Sequence, residues 1–203
     1  MIKMRVIKWG TIIAILSLGW GAEQLLAEGL SRKFYFSNFD QAEKSSNYLR
    51  FDMKSTNVWI INNNFHGFVK DFDIDIRRLE KGSISQVRLY FTVTAMDTDN
   101  RRRNKKMHDY CLAKKDHPQI VVDTKSPIAI DGRQHKVLAS INVRGKEKQI
   151  ELDLKVKKSN KHLEFSGMSP ISLSKLEIPK PSIFLAKVKD QVNVSFVFNI
   201  SLR

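Results

Sequence analysis

Toward its C-terminus the chain reads QVNVSFVFNISLR. Val192, Val194, Phe196, Phe198, Ile200 and Leu202 alternate there with polar residues, Val197 being the one exception. Neighbouring side chains of a strand point to opposite faces, so the stretch predicts one long strand, greasy on one side and wet on the other. The same alternation recurs upstream in YLRFDMK (Leu49, Phe51, Met53), KDFDIDI (Phe72, Ile74, Ile76) and SQVRLYFTVTAM (Val87, Leu89, Phe91, Val93, Ala95). It continues in PQIVVD, KVLASINV (Val137, Ala139, Ile141, Val143), QIELDLKV (Ile150, Leu152, Leu154, Val156) and HLEFSG (Leu163, Phe165). Arg144-Gly145-Lys146-Glu147 joins two of these runs as a tight hairpin, because glycine tolerates the positive φ that such turns require. Strands wet on one face belong to antiparallel sheets; parallel strands buried on both faces read as unbroken apolar runs.

One segment departs from the pattern. NRRRNKKMHDYCLAKKDHP sets Met107, Tyr110 and Cys111 at helical spacing and predicts a short helix or helical loop across one end of the sheet, ended by Pro118. Asn57 to Asn64 and the PKPS stretch around Pro179 and Pro181 read as irregular connections. One-faced strands close either as a two-sheet sandwich or as an up-and-down barrel, and long strands with tight hairpins favour the barrel. The expected fold is therefore all-β, a single antiparallel eight-stranded barrel with that helical segment near one end. The interior of such a barrel is either filled by side chains or holds one small ligand. Alternation alone leaves both open.

The N-terminus changes the picture. Lys3, Arg5 and Lys8 precede the apolar run TIIAILSLGWGA, the layout of a secretory signal peptide over residues 1–27, cleaved after Ala22 or Ala27. Export is the expectation, and fold reasoning starts beyond residue 27. The single cysteine, Cys111, rules out an internal disulfide and reads as a small buried apolar residue. A formal charge of +14 attracts anions such as phosphate head groups or an acidic membrane surface. No nucleic-acid recognition motif accompanies it, so no nucleic-acid partner is expected.

Catalytic chemistry finds little footing. His66, His108, His117, His135 and His162 fall at spacings that match no zinc motif. No serine sits in a nucleophile elbow, and Asp71, Asp73 and Asp75 alternate with apolar residues as a solvated strand face rather than a calcium loop. The expectation is a binding protein with no catalytic residues, no metal and no cofactor.

The order of elements resembles the YceI-like family. Thr98, Arg103, Met107, Tyr110 and Pro118 fall at or near the places where that family has a threonine-containing turn, an Arg-Asp pair, a His-Leu pair, a short aromatic helix and a lysine-rich approach to a proline. Ala139, Ile141, Val143, Gly145 and Lys148 are similar to its Gly-x-Leu-x-Leu-x-Gly-x-x-Lys hairpin, and Gly67-Phe68 to its early Gly/Phe strand start. Two positions depart from the pattern: Asn104 replaces the aspartate of the Arg-Asp pair, and Lys106 stands in place of the histidine. The likeness covers roughly residues 46 to 203 and leaves residues 28–45 as an N-terminal extension without a counterpart.

The resemblance implies a lipocalin-like barrel in the periplasm that takes up a polyisoprenoid or other long-chain lipid in an elongated apolar interior, without catalysis. On that reading the tail lies along Phe51, Leu89, Phe91, Val93, Ile141, Val143, Leu152, Leu154, Phe196 and Phe198. Arg101, Arg102 and Arg103, with Met107 and Tyr110, would flank an anionic head group at the mouth. The alternative is a solid-cored barrel whose basic exterior binds an acidic envelope polymer or a protein partner. The sequence does not decide the oligomeric state.

Overall fold

In the computed structural model, which describes residues 29–56, 62–183 and 186–202, the alternating runs become strands. In chain order the elements are β1 (Leu30–Tyr35), α1 (Phe39–Glu43), β2 (Tyr48–Thr56), β3 (Asn62–Val69), β4 (Asp71–Ile76), β5 (Leu79–Glu80), β6 (Ser83–Ile84) and β7 (Val87–Thr92). A 3-10 turn (Val93–Ala95), β8 (Met96–Asp97), α2 (Arg101–Lys106) and a π-helical turn (Met107–Cys111) follow. The second half contains β9 (Gln119–Thr124), β10 (Ile128–Ala129), β11 (Gln134–Val143), β12 (Lys146–Ser159), β13 (His162–Ser172), β14 (Ser182–Ile183) and β15 (Ala186–Ser201). The signal-peptide reading of residues 1–27 lies outside the described residues.

One antiparallel sheet takes the order β1-β4-β7-β9-β11-β12-β13-β15-β2-β3-β8, with β14 added beside β15. β3 and β4 stand near opposite ends of that path yet are separated in sequence by Lys70 alone, so the sheet must curl back on itself. Both backbone groups of Lys70 are used at the bend: its N–H donates to Ala95 O at 2.9 Å and its carbonyl accepts from Phe36 N at 2.7 Å. β5, β6 and β10 form a separate three-stranded sheet. Arg144 (φ 54°) and Gly145 (φ 70°) make the two-residue turn between β11 and β12, with Val143 opposite Lys146. Positive φ at both central residues is the type I′ geometry whose twist suits a hairpin.

The expected count of eight strands is not what forms, since among the described residues twelve strands share the main sheet. Part of the excess is breakage. The expected run SQVRLYFTVTAM is interrupted by the 3-10 turn at Val93–Ala95, which separates β7 from β8. The rest comes from strands that the sequence reading did not single out, among them β1 and β14. Asn62–Asn64, expected as irregular, belong to β3. The helical segment ends at Cys111 rather than at Pro118. Ala113 takes a positive φ of 50° two residues later, and Arg144 Nη1 donates to the carbonyls of Tyr110 (3.2 Å) and Cys111 (2.8 Å). A cation on the last free carbonyls of a helix satisfies them and favours its negative end.

The core divides in two. In one half Phe34 stacks on Phe72 (ring centroids 5.0 Å apart), Phe72 meets Phe198 at 5.3 Å, and Phe198 stacks on Phe196 at 5.2 Å. Such aromatic pairs contribute about 0.5–1.5 kcal/mol each beyond their area burial. The second cluster gathers Phe51, Val93, Cys111, Leu112, Ile120, Ile141, Val143 and Val192 with Leu173, Leu176 and Ile178. β15 runs through both, so its greasy face meets different surroundings along its length.

Gly67 on β3 marks the tightest crossing. A Cβ there would lie 2.2 Å from the Phe51 ring and 2.6 Å from the Asp97 carbonyl oxygen. Gly67→Ala is expected to destabilise the protein by about 2 kcal/mol through overpacking. Thermal denaturation checks this: a Tm drop of several degrees is expected for Gly67→Ala.

Candidate functional site

The second cluster does not fill its half of the interior. It encloses a cavity of about 580 Å³. β2 supplies Phe51 and Met53, β7 Phe91, β9 Ile120, β11 Ile141 and Val143, β13 Ile171, and β15 Val188, Val192 and Val194. The cover over one side is the segment after β13, with Leu173, Leu176, Ile178, Pro179 and Pro181 at the wall. That cover is fastened by Asp190, which accepts from Ser172 Oγ (2.6 Å), Ser174 N (3.0 Å) and Lys180 Nζ (3.2 Å). The hydroxyl of Ser172 leads the donors that hold the Asp190 carboxyl far below the usual range despite partial desolvation. Glu177 takes both Lys146 and Lys148 as partners, and their hydrogen bonds lower its carboxyl to about 2.

Basic residues of α2 also stand at the cavity wall. Arg102, Arg103 and Lys106 line the cavity beside Asn100 and Met107. Arg103 is held from three directions: Nε donates to Thr98 Oγ1 at 2.9 Å, Nη2 donates to the Thr98 carbonyl at 2.7 Å, and the guanidinium lies 4.4 Å from the centre of the Phe65 ring. Burial lowers the affinity of Arg103 for its proton, partly countered by Asp99; a guanidinium still stays charged at neutral pH.

Asn104 holds this arrangement in place. Its Oδ1 accepts from the Thr98 backbone N–H (2.9 Å) and hydroxyl (2.6 Å), while its Nδ2 donates to Asp97 Oδ1 at 2.7 Å. Asp97 also pairs with Lys70 at 2.8 Å. Burial pushes the Asp97 carboxyl up, but the hydrogen bonds from Lys70, Asn104 and the Asp99 N–H outweigh it and leave the group below its ordinary value. An aspartate at 104 would bring a second carboxylate against Asp97 with no proton to donate. The departure noted in the sequence is thus satisfied locally by an amide.

The residues expected along the tail divide between the two halves. Phe51, Phe91, Ile141 and Val143 line the cavity. Leu154 and Phe198 are buried in the aromatic half, and Leu89 and Phe196 pack against it. Val93 is buried in the cavity-side cluster without reaching the cavity, and Leu152 is buried in neither cluster. At the mouth, Arg102, Arg103 and Met107 reach the cavity, whereas Arg101 is exposed and Tyr110 is 55% exposed, and neither lines it. The physical reason is helical: α2 turns Arg101 away, and Lys105 on the same outer side pairs with Asp109 at 2.7 Å. Cys111 is buried against the cavity, and that burial raises its thiol pKa.

A second, polar groove of about 490 Å³ lies beside the first, lined by Arg50, Asp52, Lys54, His66, Lys189, Gln191 and Asn193, and it shares Met53, Asn64 and Phe65 with the apolar cavity. Among the described residues no cluster of His, Cys, Asp and Glu is arranged to hold a metal ion.

A model of the YceI-like domain matches residues 39–200. The chain belongs to the YceI-like family. The match begins inside α1, earlier than the sequence likeness at residue 46. Solved structures share the YceI-like fold: Burkholderia cenocepacia BcnA, at 15% identity and TM-score 0.61, covers 74% of this chain and 95% of that one. A polyisoprenoid binding domain from Saccharophagus degradans, implicated in plant cell wall breakdown, is 14% identical with TM-score 0.57, covering 78% and 95%. The Campylobacter jejuni YCEI protein is 17% identical with TM-score 0.52, covering 98% and 99%. At these identities the likeness is one of fold. Comparison with curated proteins finds no match.

The π-helical turn that follows the basic helix contains a buried histidine. His108 is 9% exposed, and its Nε2 lies 2.8 Å from the Met96 carbonyl. Burial lowers its pKa, with Lys114 adding to the effect and Met96, Asp109 and Asp97 opposing it. Since the unfolded chain binds this proton more readily, the group's contribution to stability is complete above about pH 6.5 and is lost as pH falls through the lowered folded value. Denaturant titrations between pH 7 and pH 5 are expected to show falling stability, and His108→Gln to remove that part of the slope.

Proposed function

We propose that the protein binds a long apolar amphiphile, of isoprenoid or related single-chain type, with its tail in the 580 Å³ cavity and an anionic head at Arg102, Arg103 and Lys106. The observation that carries this reading is the meeting of an apolar cavity with three basic side chains at one wall. A tail leaving water contributes about 25 cal/mol per Å² of apolar surface, enough to outweigh the cost of immobilising it. The Saccharophagus degradans neighbour, named as a polyisoprenoid binding domain, supports the same class of ligand. The role is carriage or sequestration without catalysis, in the periplasm, in keeping with the sequence of residues 1–27. Extraction of the purified protein with organic solvent, followed by mass spectrometry, is expected to yield a stoichiometric lipid. An empty extract together with no uptake of any long-chain amphiphile would sink the reading.

The second reading is a basic barrel that recognises an acidic envelope polymer or protein through its exterior. The polar groove with Arg50, Lys54 and Lys189 and the formal charge of +14 favour it. Salt separates the two, because affinity built on surface charge falls steeply with ionic strength while an apolar contact survives a high-salt wash.

The mouth residues give a sharper test. A partly exposed arginine contributes about 1 kcal/mol to binding an anion, so Arg102→Gln with Arg103→Gln is expected to weaken a phosphorylated amphiphile by more than tenfold. Titration calorimetry with the matching alcohol is expected to show little change. Arg101→Gln, which alters a side chain outside the cavity wall, is expected to leave both ligands unaffected.

A further inference from the structure

We infer that the tail this protein accepts is bounded at roughly twenty carbons, because among the described residues a packed aromatic cluster closes off one side of the cavity. The inference rests on the lipid-binding reading above and adds a ligand size to it. An apolar cavity of about 150 Å³ takes one benzene, or roughly 25 Å³ per carbon. On that scale 580 Å³ accommodates on the order of twenty carbons, about four isoprene units.

The limit is set by named side chains. Phe91, Met96 and Val194 line the cavity and also pack against the aromatic cluster, so they form the partition between the two halves. Behind them the space is occupied by Phe34, Phe72 and Phe198, whose ring centroids lie 5.0, 5.3 and 5.7 Å apart in the three pairings. Phe34 comes from β1, which precedes the residues matched by the family model. The stretch before that match therefore helps to occupy interior space that a longer tail would need. The partition is built of side chains rather than backbone, so its position can be moved by single substitutions.

The experiment is a ladder of prenyl phosphates of two, four, six and eight isoprene units, titrated against the full chain. Affinity is expected to rise steeply, by up to about fourfold per added carbon, as far as roughly four units, and then to level or fall. Phe91→Ala removes about a benzene's volume from the partition and is expected to move the break about one unit longer. Ile141→Phe fills the cavity and is expected to move it shorter; if Phe91→Ala does not fold, Phe91→Leu with Ile141→Phe gives the same pair of opposed shifts. Affinity that keeps rising through eight units, or a break that stays put in both directions, overturns the ceiling while leaving lipid binding intact. Failure to bind any rung overturns the lipid reading and the ceiling with it.

Discussion

The pleat of a strand gives every second side chain to one face, and in a sheet that bends back at Lys70 that face can only point inward. Everything else in the molecule answers the question of what occupies the enclosed space. An interior of close-packed side chains is the usual solution, since voids forfeit dispersion contacts along their whole lining. This chain adopts it on one side only. Large rings from β1, β4 and β15 interlock there, while on the other side valine, isoleucine, leucine and methionine side chains, with Phe51, Phe65 and Phe91, line a space they do not fill. The unfilled volume costs stability, and a bound apolar tail would restore the missing contacts.

The hollow side needs a wall that stays in place without a core behind it. Polar fastening supplies this at two points. Asp190 and Glu177 pin the covering segment from outside, where water screens each interaction and geometry matters more than strength. Around α2, Thr98, Asn104 and Asp97 form a chain of hydrogen bonds in which each oxygen is matched to a donor, and Arg103 is aimed by it toward the cavity and the ring of Phe65. Networks of this kind specify one arrangement when every member is satisfied. The same residues that organise the backbone around the mouth thus present positive charge to it.

Much of the fold was legible because a period of two is a local signal. β2, β4, β9, β11, β12, β13 and β15 fall on alternating runs, and the Arg144-Gly145 turn carries its own conformational signature. The breaks were hidden for a physical reason: Val93 and Ala95 remain buried although they lie on a 3-10 turn, so the apolar rhythm continues through a backbone that has left the sheet. β1 was missed, although Phe34 and Phe36, both buried around an exposed Tyr35, carry the same alternation over a short span. The division of the interior was harder to see, since hydrophobicity is the same on both sides. Size was the available clue. Along β15 the inward residues pass from Val192 and Val194 to Phe196 and Phe198, and the change from small to large coincides with the change from cavity wall to packed core. The cover after β13 left no periodic trace, because Leu173, Leu176 and Ile178 sit on a turn held by side chains distant in sequence.

β15 is flanked by β13 on one side and β2 on the other, and its pairing of Val197 with Tyr48 joins residues from nearly opposite ends of the described chain. The neighbouring ladders from β11 to β15 join segments close in sequence, whereas this one encloses almost the whole domain and carries the largest loop-closure entropy. It is the last stave that turns a curved wall into a vessel. The interior is consequently a property of distant segments together: nearly all of the cavity-lining side chains precede β15 in sequence, yet the space they line is enclosed only when β15 has taken its place.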